Sequence, residues 1–157
     1  MLQTMPPAAR VWVYQSNRSL SSEEISDVER ALGTFVRQWT SHNARLHAAG
    51  EVRHGRFIIL AVDESQSGAS GCSIDKSVAF MKSLQSSLGI DLFDRMCFTY
   101  LEGEEVRSAS RESFAASFAR GEINDTTLVF DTLVDTAGKL EKAFIKPLGE
   151  SWHKRLI

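Results

Sequence analysis

Cys72, Ser73 and Lys76 are the residues of this chain whose types and spacing can do chemistry, and they share one stretch, Asp63-Glu-Ser-Gln-Ser-Gly-Ala-Ser-Gly-Cys-Ser-Ile-Asp-Lys-Ser77. A thiol or hydroxyl at the start of a helix meets unpaired main-chain N–H groups and the positive end of the helix, which stabilise a thiolate. Lys76, one turn on, adds to that effect and Asp75 opposes it. A catalytic Cys72 also needs a base and an oxyanion site. His54, in or near the hairpin before the preceding strand, is badly placed for the first role, and His153 in the tail is the other candidate.

The same stretch suits binding. Its small residues let the backbone bend sharply and come close to a ligand. Glu64 to Gly71 is also longer than the about two to six residues that usually join a strand to a helix. Gly68, Ser70, Gly71, Cys72, Ser73, Lys76 and Ser77 therefore form the candidate ligand-binding set, for a small anionic ligand or the acidic group of a protein partner.

Other chemistries find less support. A Walker-type phosphate loop needs glycine at the positions held by Ser70 and Asp75, and a carboxylate beside the lysine repels a triphosphate. ATPase activity is not expected. His42 and His47 lack a thiol or carboxylate at ligand spacing, so no metal site is expected and the segment reads as a solvated loop. Cys97, between Met96 and Phe98, reads as a buried small hydrophobe. The net charge is -2 with acids and bases interspersed, which gives no basic stripe for nucleic acid. Trp12, Trp39 and Trp152 have no interleaved basic residues and read as core or rim packing. The longest apolar run, Phe57 to Val62, is far too short for a membrane span, and no signal-peptide pattern opens the chain. A cytoplasmic protein is expected.

These residues must be positioned by a recognisable series of elements. Val11 to Tyr14 reads as a strand. Ser21-Ser-Glu-Glu24 is a capping box for a helix whose apolar face is Ile25, Val28, Leu32, Phe35, Val36 and Trp39. A short strand near Glu51 to His54 turns at Gly55 into the buried strand Arg56 to Val62. After the small-residue stretch, Ile74, Val78, Met81, Leu84 and Leu88 share a helical face that ends at Gly89. Cys97 to Leu101 reads as a fourth strand. The order strand, helix, strand, strand, helix, strand is that of a ferredoxin-like split βαβ unit. Beyond it, Ser110 caps a helix, Asp125 to Phe130 is a strand and Ala137 to Phe144 a short helix. Asp94-Arg95 is expected beside the small-residue loop as an internal ion pair.

Two resemblances add expectations. Val11-Trp-Val-Tyr-Gln-Ser-Asn-Arg18, the stretch 63–77, Leu92-Phe-Asp-Arg95 and Ser151-Trp-His153 together resemble a family of small bacterial proteins, typical of the Bacteroidetes, that often carry the label ABC transporter ATPase. Phe98-Thr-Tyr100, Phe114-Ala-Ala-Ser-Phe-Ala-Arg-Gly-Glu-Ile123 and Asp125-Thr-Thr-Leu-Val-Phe130 resemble bacterial GYF-like modules, which implies a small peptide-binding lobe. The expectation is an α+β protein with a ferredoxin-like sandwich over residues 10–101 and a smaller C-terminal α+β lobe over 102–157. Its function is read as a cofactor-free binding or adaptor protein centred on Gly68 to Ser77, and the rival reading is a thiol-dependent enzyme or redox-responsive protein using Cys72.

Overall fold

The structure, a computed structural model, describes residues 2–157. The chain folds as α+β with antiparallel sheets. Strand β5 (Phe57–Asp63) is the middle of the first sheet, between β1 (Arg10–Gln15) and β4 (His47–Arg53). Phe57 to Val62 are all buried, which explains the unbroken apolar run: this strand is covered on both faces, so alternation has no solvent side to serve. Ile58, Leu60 and Val62 pack under α1 (Ser22–Gln38) and α2 (Gly71–Leu88), with Val28, Leu32, Trp39 and Met81. Phe57, Ile59 and Ala61 point the other way, into a cluster with Leu2, Val11, Phe130, Leu140 and Phe144.

Local chemistry sets the element ends. Ser21 accepts from the Glu24 N–H at 3.1 Å and the Glu24 carboxylate accepts from the Ser21 N–H at 2.9 Å, closing the expected capping box. A Cβ on Gly50 would lie 3.1 Å from Leu32, so the close approach of α1 to β4 depends on a residue without a side chain. The 41–50 segment is not the solvated loop expected. Two short strands, β2 (Thr40–Ser41) and β3 (Ala44–Arg45), turn at His42 and Asn43, whose φ values are 51° and 65°, and β4 begins at His47. The period-two pattern there is masked by alanines and a glycine.

Strands β1, β4 and β5 with α1 realise a split βαβ unit, with β5 inserted between β1 and β4. The fourth strand departs from the ferredoxin-like expectation. β6 (Cys97–Glu102) joins β7 (Glu105–Ser110), β8 (Leu128–Phe130) and β9 (Ile145–Pro147) in a second sheet of order β7-β6-β8-β9. Phe98, Val129 and Leu148 form its core with Phe114 of α3 (Arg111–Ala119). A division at 101/102 thus falls inside β6. The C-terminal segment also returns to the first sheet, where Phe130 packs tilted and Phe144 edge-on against Phe57 at centroid distances of 4.8 and 5.0 Å. The short helix α4 (Ala137–Ala143) covers the same face. Among the described residues no helix is long and apolar enough to cross a membrane.

Candidate functional site

The small-residue loop delivers the chain from β5 to α2 as the sequence implies, but its polar groups are largely spent on itself. Ser70 is the N-cap of α2 and accepts from the Ser73 N–H at 3.2 Å. The Glu64 carboxylate folds back to accept from the Ala69 N–H at 2.9 Å. A Cβ on Gly68 would come within 3.1 Å of that carboxylate, so the glycine makes room for an anion the chain already carries. Ser73 and Ser77 are buried, and their hydroxyls donate to the Ser70 and Ile74 carbonyls at 2.8 and 2.6 Å. Trp39 ties the start of the helix down, its Nε1 donating to the Ser73 carbonyl at 2.8 Å. Gly68, Gly71, Cys72 and Lys76 remain exposed.

Neither candidate base is brought to Cys72. His54 sits in the turn between β4 and β5, at the end of β5 remote from the loop, and its ring packs on Phe130 at 4.9 Å. His153 is 1% exposed, its Nδ1 lies 2.5 Å from Ser151 Oγ, and its ring stacks on Trp152 at 3.8 Å. Burial pushes its pKa down to about 4, so it is neutral at physiological pH. His47 does have a carboxylate, Asp63 opposite it across the β4–β5 pair at 3.4 Å. Among the described residues no group of three metal-type ligands converges.

A different place collects the chemistry. The outer edge of β1 borders a hollow of about 270 Å³. One wall is Leu92 to Arg95, the other Thr132 to Asp135, and Trp152 also lines it. Phe93 and Leu133 are 38% and 60% exposed at its lips. Because β1 pairs with β5 alone in its sheet, its main-chain groups alternate between the partner and the open side. The phase is fixed at both ends. Ser16 N–H meets the Arg56 carbonyl at 2.8 Å on the β5 side, and Val11 N–H turns outward to the Asp135 carbonyl at 3.0 Å. Val13 therefore directs its N–H and C=O into the hollow, where among the described residues neither has a main-chain partner.

Each wall is held in place by side-chain hydrogen bonds. Gln15, at the end of β1, donates to the Cys97 carbonyl at 2.6 Å and accepts from Thr99 Oγ1 at 2.7 Å, pinning the start of β6 beside β1 before the strand turns away. Asn17 and Arg18 hold the chain leaving α2, through the Asp91 N–H at 3.0 Å and the Leu88 carbonyl at 2.8 Å. Asp131 is the hub of the other wall: it accepts from the Leu133 N–H and Trp152 Nε1, both at 2.9 Å, and from Lys146 Nζ at 2.7 Å. Lys146 and these hydrogen bonds keep its carboxyl below the usual range against the opposing effect of burial.

Asp94 and Arg95 do not form the expected ion pair. Asp94 Oδ1 accepts from the Met96 N–H at 2.9 Å, and among the described residues the Arg95 guanidinium on the wall has no hydrogen-bond or ion-pair partner. Tyr14 reaches Phe93 edge-on at 5.6 Å. Burial raises its phenol's pKa, against the pull of the Ser77 hydroxyl and Arg95. Val11–Gln15, Leu92–Arg95 and Trp152, parts of three of the words quoted above, line this hollow, and the unpaired edge behind it could be read only once the destination of β6 was known.

A third feature lies between the two sheets. Arg56 is 7% exposed and donates to Ser108 Oγ at 2.6 Å and Ser19 Oγ at 2.8 Å, while among the described residues its Nε has no partner. It fastens the turn after β1 to β7 with hydroxyls alone.

No family model matches this chain, and no curated protein or solved structure matches it either.

Proposed function

We propose that this is a cytoplasmic adaptor that binds an extended segment of a partner protein by adding it as a further strand beside β1. The observation that carries the reading is the unpaired Val13 N–H and C=O inside a walled hollow. Extended main chain offers the complementary acceptor and donor at matching spacing, and exposed Phe93 and Leu133 offer apolar contact to its side chains. Elsewhere such an edge is usually blunted by charge or a bulge, whereas Val11, Trp12, Val13 and Tyr14 are uncharged. Both cysteines are free thiols, which fits a reducing compartment. A peptide ligand is also what the resemblance of residues 98–148 to GYF-like modules implies.

Val13→Pro is the direct test. Proline removes the outward N–H and crowds the edge without touching a bond to β5. Heptapeptides selected from a random display library against the immobilised full chain should bind the variant at least tenfold more weakly by fluorescence anisotropy. A single cooperative urea transition and an unchanged far-UV dichroism should show that the variant still folds. Failure of the library to yield any binder, or equal binding by the variant, removes strand addition as the function.

A further inference from the structure

We infer that the segment bound beside β1 is the free C-terminal end of a partner chain, its terminal carboxylate held by Arg95. The inference rests on the strand-addition reading and adds the identity of the ligand.

Three observations lead to a chain end. First, both ends of the hollow are bridged. At the Val11 end the chain closes over β1 through the Val11 N–H to Asp135 bond and the Arg10–Thr136 bridge, and at the Gln15 end through the Gln15 amide on Cys97. Val11 to Gln15 spans about 13 Å, room for three or four extended residues at about 3.3 Å each. A strand passing through must leave past both closures. A terminus needs only one exit.

Second, the charges of the lining are unequal in their partners. The Asp135 carboxylate pairs with Lys139 Nζ at 3.1 Å and Asp94 Oδ1 holds the Met96 N–H. Arg95 alone among the charged side chains of the lining has no hydrogen bond or ion pair among the described residues. A guanidinium presents a planar fork of donors that matches a carboxylate in bidentate geometry.

Third, Arg95 stands at one particular end. It lines the hollow with Tyr14 and lies two residues before Cys97, whose carbonyl the Gln15 amide holds, so it marks the Gln15 end of β1. A carboxylate placed there makes the ligand run parallel to β1, with its body turning out to solvent past the exposed lips before it meets the Asp135 closure at Val11. Val13 N–H and C=O then bond to ligand residues just before the terminus, while Phe93 and Leu133 border its side chains.

The probe is a library of random heptapeptides displayed with free C-termini. Selected sequences are synthesised as acids and as C-terminal amides and measured by fluorescence anisotropy against the full chain, Arg95→Gln, Arg95→Lys and Val13→Pro. Amidation should weaken binding at least tenfold. Arg95→Gln should weaken the acid by a similar factor and erase the difference between acid and amide, and Arg95→Lys should restore part of it. Equal binding of acid and amide, or an Arg95→Gln effect equal for both, overturns the carboxylate assignment. If Val13→Pro still abolishes binding in that case, strand addition stands and the ligand is an internal segment. If Val13→Pro is without effect, strand addition falls and the assignment falls with it.

Discussion

Phe130→Ala should cost about 3–5 kcal/mol in urea denaturation and lower the stability of both sheets together. Phe130 belongs to β8 of the second sheet but is fully buried in the core beneath the first, 4.8 Å from Phe57 and 5.3 Å from Phe144 by ring centroids. Truncation removes the transfer free energy of a benzyl group and leaves a cavity that the surrounding aromatic rings cannot fill without leaving their rotamers. Unfolding of the variant should remain a single transition, with far-UV dichroism and tryptophan emission coincident. Separate transitions for residues before and after β6, seen by hydrogen exchange, would show instead that the sheets are independent units and that the shared aromatic cluster is a contact between them.

Acidification should produce the second large effect. His153 has a folded pKa of about 4 against an ordinary value of 6.5, so between those values the unfolded chain takes up a proton that the folded chain refuses. The stability due to neutral His153 is complete above about pH 6.5 and is lost as pH falls toward 4, about 3 kcal/mol in all. Asp131, whose pKa is lowered in the fold, acts in the same direction but only below its ordinary carboxylate range. Urea midpoints measured from pH 7.5 to 4.5 should therefore drop, and His153→Gln should flatten the profile across this window while lowering the plateau. An unchanged slope in that variant would move the effect to another group. Because Trp152 stacks on His153 and is anchored by Asp131, acid should loosen the hollow's wall before the first sheet.

Much of the scaffold can be read from local chemistry. Ser21 and Ser110 cap helices where their positions require, although α2 starts earlier than its apolar spacing indicates, with Ser70 rather than Cys72 or Ser73 as its cap, and the run Phe57 to Val62 announces a strand covered on both sides. These signals involve neighbours within a turn or a strand. The fate of β6 is different. Cys97 to Leu101 reads as a strand with equal ease in either sheet, and the choice is made by side chains distant in sequence: Gln15 holds only its first residues, and Phe98 finds Phe114 and Val129. Once β6 leaves, β1 keeps an open edge, and the hollow follows from the absence of a strand that the local sequence promises. The loop at residues 64–70 shows the converse. Its small residues do mark a close approach, but the group approached is the carboxylate of Glu64. Sequence spacing indicates room for an anion without revealing that the chain supplies its own.

The distribution of the indoles has a practical corollary. Trp39 is sealed at 1% exposure and bonded to the Ser73 carbonyl, whereas Trp12 and Trp152 both line the hollow. The molecule thus carries a silent chromophore and two responsive ones. Quenching by acrylamide divides the emission into an occupancy signal and an internal standard, with no label attached.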